Sequence, residues 1–86
     1  PGSVRFPFVL PPTVGDWRMG LEVTDVAGKL VGRWGQGGFA AGPSEWGWTA
    51  TDAQGGPLPR GLYLCRLTAI SREGKAHSKV FKVQVD

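Results

Sequence analysis

Trp46-Gly47-Trp48-Thr49-Ala50-Thr51-Asp52-Ala53-Gln54-Gly55-Gly56-Pro57-Leu58-Pro59-Arg60-Gly61-Leu62-Tyr63 is the stretch on which the fold turns. A tryptophan-bearing strand enters a loop rich in turn formers. The chain leaves that loop through Pro59-x-Gly61-x-Tyr63 and passes directly into its longest apolar run. Strand, turn-rich loop, strand is the signature of β structure, since Gly, Pro and Asp favour turn dihedrals and break ladders.

Upstream, Ser44 to Thr51 alternates, with Trp46, Trp48 and Ala50 on one face. Gly35 to Pro43, around Phe39, reads as a glycine-rich connection too poor in hydrogen-bonding order to be a strand. Before it, Trp17, Met19, Leu21 and Val23 alternate with Arg18, Gly20, Glu22 and Thr24, which is a strand with one buried face. Asp25-Val26-Ala27-Gly28 has the Asp-first, Gly-fourth preference of a type I turn, with the Asp side chain placed to accept from the following amides. It leads into Lys29 to Trp34, so residues 17–34 read as a hairpin. Val4 to Leu10 carries Pro7, which cannot donate to a ladder, and therefore reads as an edge strand or an extended lead-in.

Downstream, Leu62 to Ile70 has apolar residues at both parities. This predicts a central strand covered on much of both faces, with Tyr63, Cys65, Leu67 and Ala69 as its core side. Arg72 to Lys75 makes a turn, and Ala76 to Val85 returns with Phe81, Val83 and Val85 inward and Lys82 and Gln84 outward. The sum is an all-β chain of six to seven short antiparallel strands, the pattern of a small β-sandwich, with a small barrel as the alternative.

The chain has 86 residues, 14 of them glycine and 7 proline. That length is one domain, which buries only about 60–65% of its unfolded surface. No helical periodicity persists for three turns, and no run approaches the roughly 18 apolar residues of a membrane span. Pro1-Gly2-Ser3 is read as a cloning remnant, with residues 4–86 as the domain, and the chain as a piece of a larger gene product.

Catalytic chemistry finds little support. Cys65 and His77 are the single cysteine and histidine, whereas a zinc site takes three or four ligands at set spacings. Cys65, in an apolar strand, is read as a small hydrophobe. No nucleophile elbow, phosphate-cradling loop or Asp-x-Asp calcium loop is present. The expectation is no enzyme, no metal and no cofactor.

The ordered series Val23-x-Asp25-x-x-Gly28-x-Leu30-Val31, a glycine-containing linker, Trp48, Asp52, Gly55, Leu58-Pro59-x-Gly61-x-Tyr63, Arg66-Leu67-x-Ala69, Gly74 and Lys79-Val80-Phe81-x-Val83 resembles the FlgD-like immunoglobulin-type domain. That family is typified by the C-terminal part of the bacterial flagellar hook-capping protein and recurs at the C-termini of exported bacterial proteins. The resemblance covers about Trp17 to Val85. It implies an immunoglobulin-like, fibronectin III-like sandwich and a non-catalytic accessory module outside the cell, working in assembly, anchoring or secretion with other protein domains or subunits. One departure stands out, since the family has Trp-Asp-Gly where this chain has Trp48-Thr49-Ala50. Asp25, Gly28, Trp48, Asp52, Gly61 and Tyr63 are the structural-motif residues, each with a scaffold task. Trp48 is expected to be a single large plug between the sheets, and Tyr63 to bury its ring and bond through its hydroxyl to a loop.

Two binding roles compete with protein contacts. A net charge of +3, with Arg66, Arg72, Lys75, Lys79 and Lys82 in the last hairpin, invites nucleic acid. Glu73 interrupts that cluster, and outward lysine is also a guard against edge pairing, so nucleic acid is not favoured. Four tryptophans invite polysaccharide, because exposed rings stack on sugars. Trp34, beside the glycine-rich connection, and Trp17 are the candidate ligand-binding aromatics.

Overall fold

The computed structural model describes residues 3–86; of the presumed cloning remnant, Pro1 and Gly2 lie outside them. Six strands follow one another: β1 Val4–Leu10, β2 Trp17–Asp25, β3 Leu30–Phe39, β4 Gly42–Trp48, β5 Gly61–Ile70 and β6 Ala76–Val85. They form two layers, a four-stranded sheet in the order β3-β2-β5-β6 and a two-stranded sheet β1-β4, with every pairing antiparallel. The sandwich, rather than the barrel, is the architecture.

Period-two alternation produces the inner face of the large sheet. Trp17, Met19, Leu21 and Val23 of β2 are buried beside Tyr63, Cys65, Leu67 and Ala69 of β5, and the two sets are cross-strand partners from Val23↔Cys65 to Met19↔Ala69. Phe81, Val83 and Val85 of β6 pack against this cluster. The small sheet contributes Phe6, Leu10, Trp46 and Trp48 from above. Phe6 lies on Phe81 with ring centroids 4.7 Å apart and stacks on Trp48 at 6.5 Å. Aromatic bulk is the physical answer to unequal layers, because two strands cover four only if their side chains are wide.

Two expectations are corrected. First, Gly35 to Phe39 continues β3, where Gly35 and Gln36 pair with Gly20 and Met19, and Phe39 pairs with Trp17. Ladder bonds come from the backbone, so the neighbouring β2 recruits a segment whose own side chains give no strand signal. Gly32 has a further reason to be glycine, since a Cβ there would collide with the ring of Trp34. Second, β5 is covered on one face only, and Leu62, Leu64 and Ile70 are exposed on the other, because no layer packs on the outer side of the four-stranded sheet. The basic strand residues of the last hairpin divide between the two faces of the sheet. Arg66 and Lys82 partner the outward Val80 and Leu64, whereas Lys79 partners the inward Leu67.

Three turns share one design. In each, the first residue takes its own N–H to the carbonyl four residues on, and accepts the N–H of the glycine three residues on: Asp25 with Lys29 and Gly28, Asp52 with Gly56 and Gly55, Ser71 with Lys75 and Gly74. The glycines hold φ of 84°, 84° and 86°. This is the type I turn closed by a left-handed residue, which glycine occupies without a Cβ clash.

Candidate functional site

The loop between β4 and β5 is tied down by the residues that flank it. Trp48 donates its indole N–H to the Thr51 carbonyl at 3.3 Å. Asp52 accepts at one carboxylate oxygen, Oδ1, from Gln54 N–H at 3.0 Å and Gly56 N–H at 2.8 Å. Tyr63 donates its hydroxyl to the Pro59 carbonyl at 2.7 Å. Thr51 and Pro57 form an isolated bridge across the loop. This is the arrangement of a sandwich tyrosine corner, with the ring buried and the hydroxyl bonded a few residues upstream. Gly61, at φ 152°, opens β5 two residues before Tyr63. At the same end of the sandwich, where Asp25 is the cross-strand partner of Tyr63, Asp25 Oδ1 accepts from Ala27 N–H at 3.0 Å and Lys29 N–H at 2.9 Å.

Sequence reading missed Ser71. It is buried, and its hydroxyl accepts from Lys75 N–H at 3.0 Å, so it does with a hydroxyl what Asp25 and Asp52 do with carboxylates. The signal was present as the common spacing to Gly28, Gly55 and Gly74.

The stretch Trp48-Thr49-Ala50 ends on an uncommon backbone conformation at Ala50. It takes φ 57°, the one non-glycine residue with positive φ among those described. The backbone thus makes a left-handed bend at this position, and alanine bears the steric cost.

The tryptophans divide three to one. Trp17 is 1% exposed and donates its indole N–H to the Pro11 carbonyl at 3.0 Å. A ring so enclosed offers no face to a sugar, which removes Trp17 from the ligand-binding candidates. Trp46 and Trp48 are 8% and 4% exposed, so Trp48 is one of three buried tryptophans rather than a single plug. Trp34 is half-buried and tilts against Trp48 with centroids 6.2 Å apart. It lines an open cleft of about 460 Å³ between β3 and β4, together with Gln36, Phe39, Trp46, Trp48 and Thr49.

His77 lies on β6 with its ring 5.5 Å from that of Trp17. Among the described residues no three His, Cys, Asp or Glu side chains come together to hold a metal. Cys65 is fully buried, and burial pushes its thiol up to about 11; a nucleophilic cysteine needs the opposite shift.

Fold, layer order and corner define the class: an immunoglobulin-like β-sandwich module. A family model described as the FlgD Ig-like domain matches residues 4–73, and the chain belongs to that family. Among solved structures, FlgD from P. aeruginosa aligns with a TM-score of 0.72 and 23% identity over 95% of this chain and 61% of its own. FlgD from Xanthomonas campestris, described as a hook-capping protein essential for flagellar assembly, aligns with a TM-score of 0.73 and 24% identity over 96% of this chain and 58% of its own. Dimeric latent PorU from Porphyromonas gingivalis aligns with a TM-score of 0.64 and 20% identity, over 98% of this chain and 9% of its own. The chain thus spans about three-fifths of the FlgD chains and a small part of PorU. No curated protein matches it by sequence.

Proposed function

We propose that this domain is a non-catalytic accessory module of an exported or cell-surface bacterial protein, acting in assembly, anchoring or secretion through contacts with other protein domains or subunits. One observation carries the reading: the motif residues spend their polar atoms inside the domain. The Asp25 and Asp52 carboxylates hold turn amides, and Trp48 and Tyr63 hold the loop between them. What distinguishes the family in this chain is therefore a scaffold, and a scaffold acts through its surface. The hook-capping relative, a protein named for its part in flagellar assembly, supports an assembly role, and the match to a small part of PorU supports an appended module. A carbohydrate role would rest on Trp34 alone, since the other three rings are buried.

The test is deletion of residues 4–86 from the full-length protein that contains them. The expected result is loss of export, surface attachment or subunit assembly, while the remainder keeps its fold and any activity of its own. Unchanged assembly and localisation, or catalytic turnover by the isolated domain, would overturn the proposal.

A further inference from the structure

Register lays four small residues in one row across the large sheet, one on each strand. Gly20 of β2 partners Gly35 of β3 and Thr68 of β5, and Thr68 partners Ser78 of β6. The row faces away from the core, because Met19, Leu21, Leu67 and Ala69 on either side of it are buried and strand neighbours point to opposite faces. Along one side of it run Arg33, Glu22, Arg66 and Val80, and along the other Arg18 and Ile70. Two adjoining hollows result. One of about 400 Å³ is walled by Arg18, Arg33, Thr68 and Ile70, and one of about 150 Å³ by Glu22, Arg33, Arg66 and Thr68. Gly20 floors both.

Charge is lopsided here. Three arginines against one glutamate leave two positive charges over the hollows. Arg33 donates from Nε and Nη2 to Glu22 Oε2 at 3.2 and 2.8 Å, whereas Arg18 and Arg66 have no ion pair among the described residues. The two glycines are not demanded by the fold. Neither holds a positive φ, and a Cβ would lie 3.6 Å from the Trp34 carbonyl oxygen at Gly20 and 3.8 Å from that of Met19 at Gly35, ordinary contact distances. A β-branched residue would serve the strand better at either place. Glycine inside a strand that does not need it leaves the backbone open to close approach by a ligand. Nor are the hollows the place of a missing strand, since they lie on the face of four strands already paired side by side.

We propose that the junction of the two hollows binds a phosphate monoester. The phosphoryl group sits over Gly20, with the Thr68 hydroxyl donating to it and the guanidinium groups of Arg18, Arg33 and Arg66 around it. Its charge of about −1.5 to −2 at neutral pH matches the two positive charges there. A single carboxylate would leave one of them unmet. Arginine's planar fork also suits phosphate oxygens, which it meets bidentately. The Arg33–Glu22 pair is exposed, with side chains 69% and 39% accessible, and such a pair is worth little. The phosphate therefore draws Arg33 from Glu22 at small cost. The organic part of the ester lies in the larger hollow against Ile70, which sets an ester apart from the free ion.

The experiment titrates the isotope-labelled chain with glycerol 3-phosphate and with inorganic phosphate, at neutral pH and low salt. Saturable shifts of the Gly20, Gly35 and Thr68 amides are expected, with the ester binding more tightly than the free ion. Arg18→Gln and Arg66→Gln each weaken binding about two- to fivefold, the worth of one exposed charge pair, and Glu22→Gln strengthens it by a similar factor. Gly20→Thr abolishes binding while the urea midpoint holds or rises. A fallen midpoint in that variant, shifts centred on other cations such as Lys29 or Lys75, a response reproduced by chloride at equal ionic strength, or no saturation at millimolar ester would overturn the proposal. Free phosphate binding as tightly as glycerol 3-phosphate would overturn the choice of an ester. Tighter binding of an oligonucleotide without a terminal phosphate would overturn it in favour of nucleic acid. Loss of binding in the full-length protein that contains the chain would overturn it in favour of an acidic stretch of the same polypeptide. A null result here leaves the accessory role standing, since that role is read from the deletion.

Discussion

Removing the hydroxyl of Tyr63 isolates the corner bond from the packing of the ring. Tyr63 is 5% exposed, and its oxygen lies 2.7 Å from the Pro59 carbonyl. Tyr63→Phe keeps the ring, so no cavity term arises. What is lost is one neutral hydrogen bond, worth about 0.5–1.5 kcal/mol net. Leaving a buried acceptor without a partner would raise the cost towards about 3 kcal/mol, but Pro59 is exposed and water reaches its carbonyl. The expected loss is therefore about 1 kcal/mol, which lowers the Tm of a domain this size by about 4–8 °C. Urea unfolding checks it, with the midpoint falling and the m-value unchanged. Amide exchange in the loop from Asp52 to Gly61 should quicken more than exchange in β2, because the bond fastens that loop. An unchanged midpoint would show that the hydroxyl is not bonded in solution. A loss above about 3 kcal/mol would show that the ring's position depends on the bond, and either result would refute the assignment of separate tasks to ring and hydroxyl.

Other outcomes follow from single residues. Ala50→Gly relieves about 1–2 kcal/mol of left-handed strain but adds roughly 0.5–1 kcal/mol of chain entropy and exposes part of the core, so the midpoint should rise by the equivalent of about 0.5 kcal/mol; a fall would mean that Ala50 is not strained. The Cys65 thiol, raised from 9.0 to about 11 in the fold, should resist a thiol reagent at pH 8 until the domain unfolds. Because its folded value is the higher one, its contribution to stability is complete below about pH 9 and is lost as pH climbs towards about 11, which Cys65→Ala should flatten in a pH series of urea midpoints. Acrylamide should quench mainly Trp34, and Trp34→Phe should leave blue-shifted, protected emission from Trp17, Trp46 and Trp48; readily quenched emission from that variant would place a second ring at the surface.

Alternation alone placed the inner faces of β2, β5 and β6, because a strand with one wet side must put every second residue into the core. Asp25, Asp52 and Ser71 set their turns through contacts no more than four residues long, so the spacing to Gly28, Gly55 and Gly74 is legible without a third dimension. The order from Val23 to Val83 likewise led to the family before any coordinate was known. Tertiary structure decided the rest. Gly35 to Phe39 became strand because β2 lay alongside with ladder bonds to share, and glycines carry no pattern that announces this. Trp17 and Trp34 look alike in sequence, but Trp17 sits on a strand with neighbours on both sides and Trp34 on an edge strand with one. The hollows on the outer face belong to no single strand; they exist because register sets Gly20, Gly35 and Thr68 side by side, a property of the paired sheet that no local run of residues encodes.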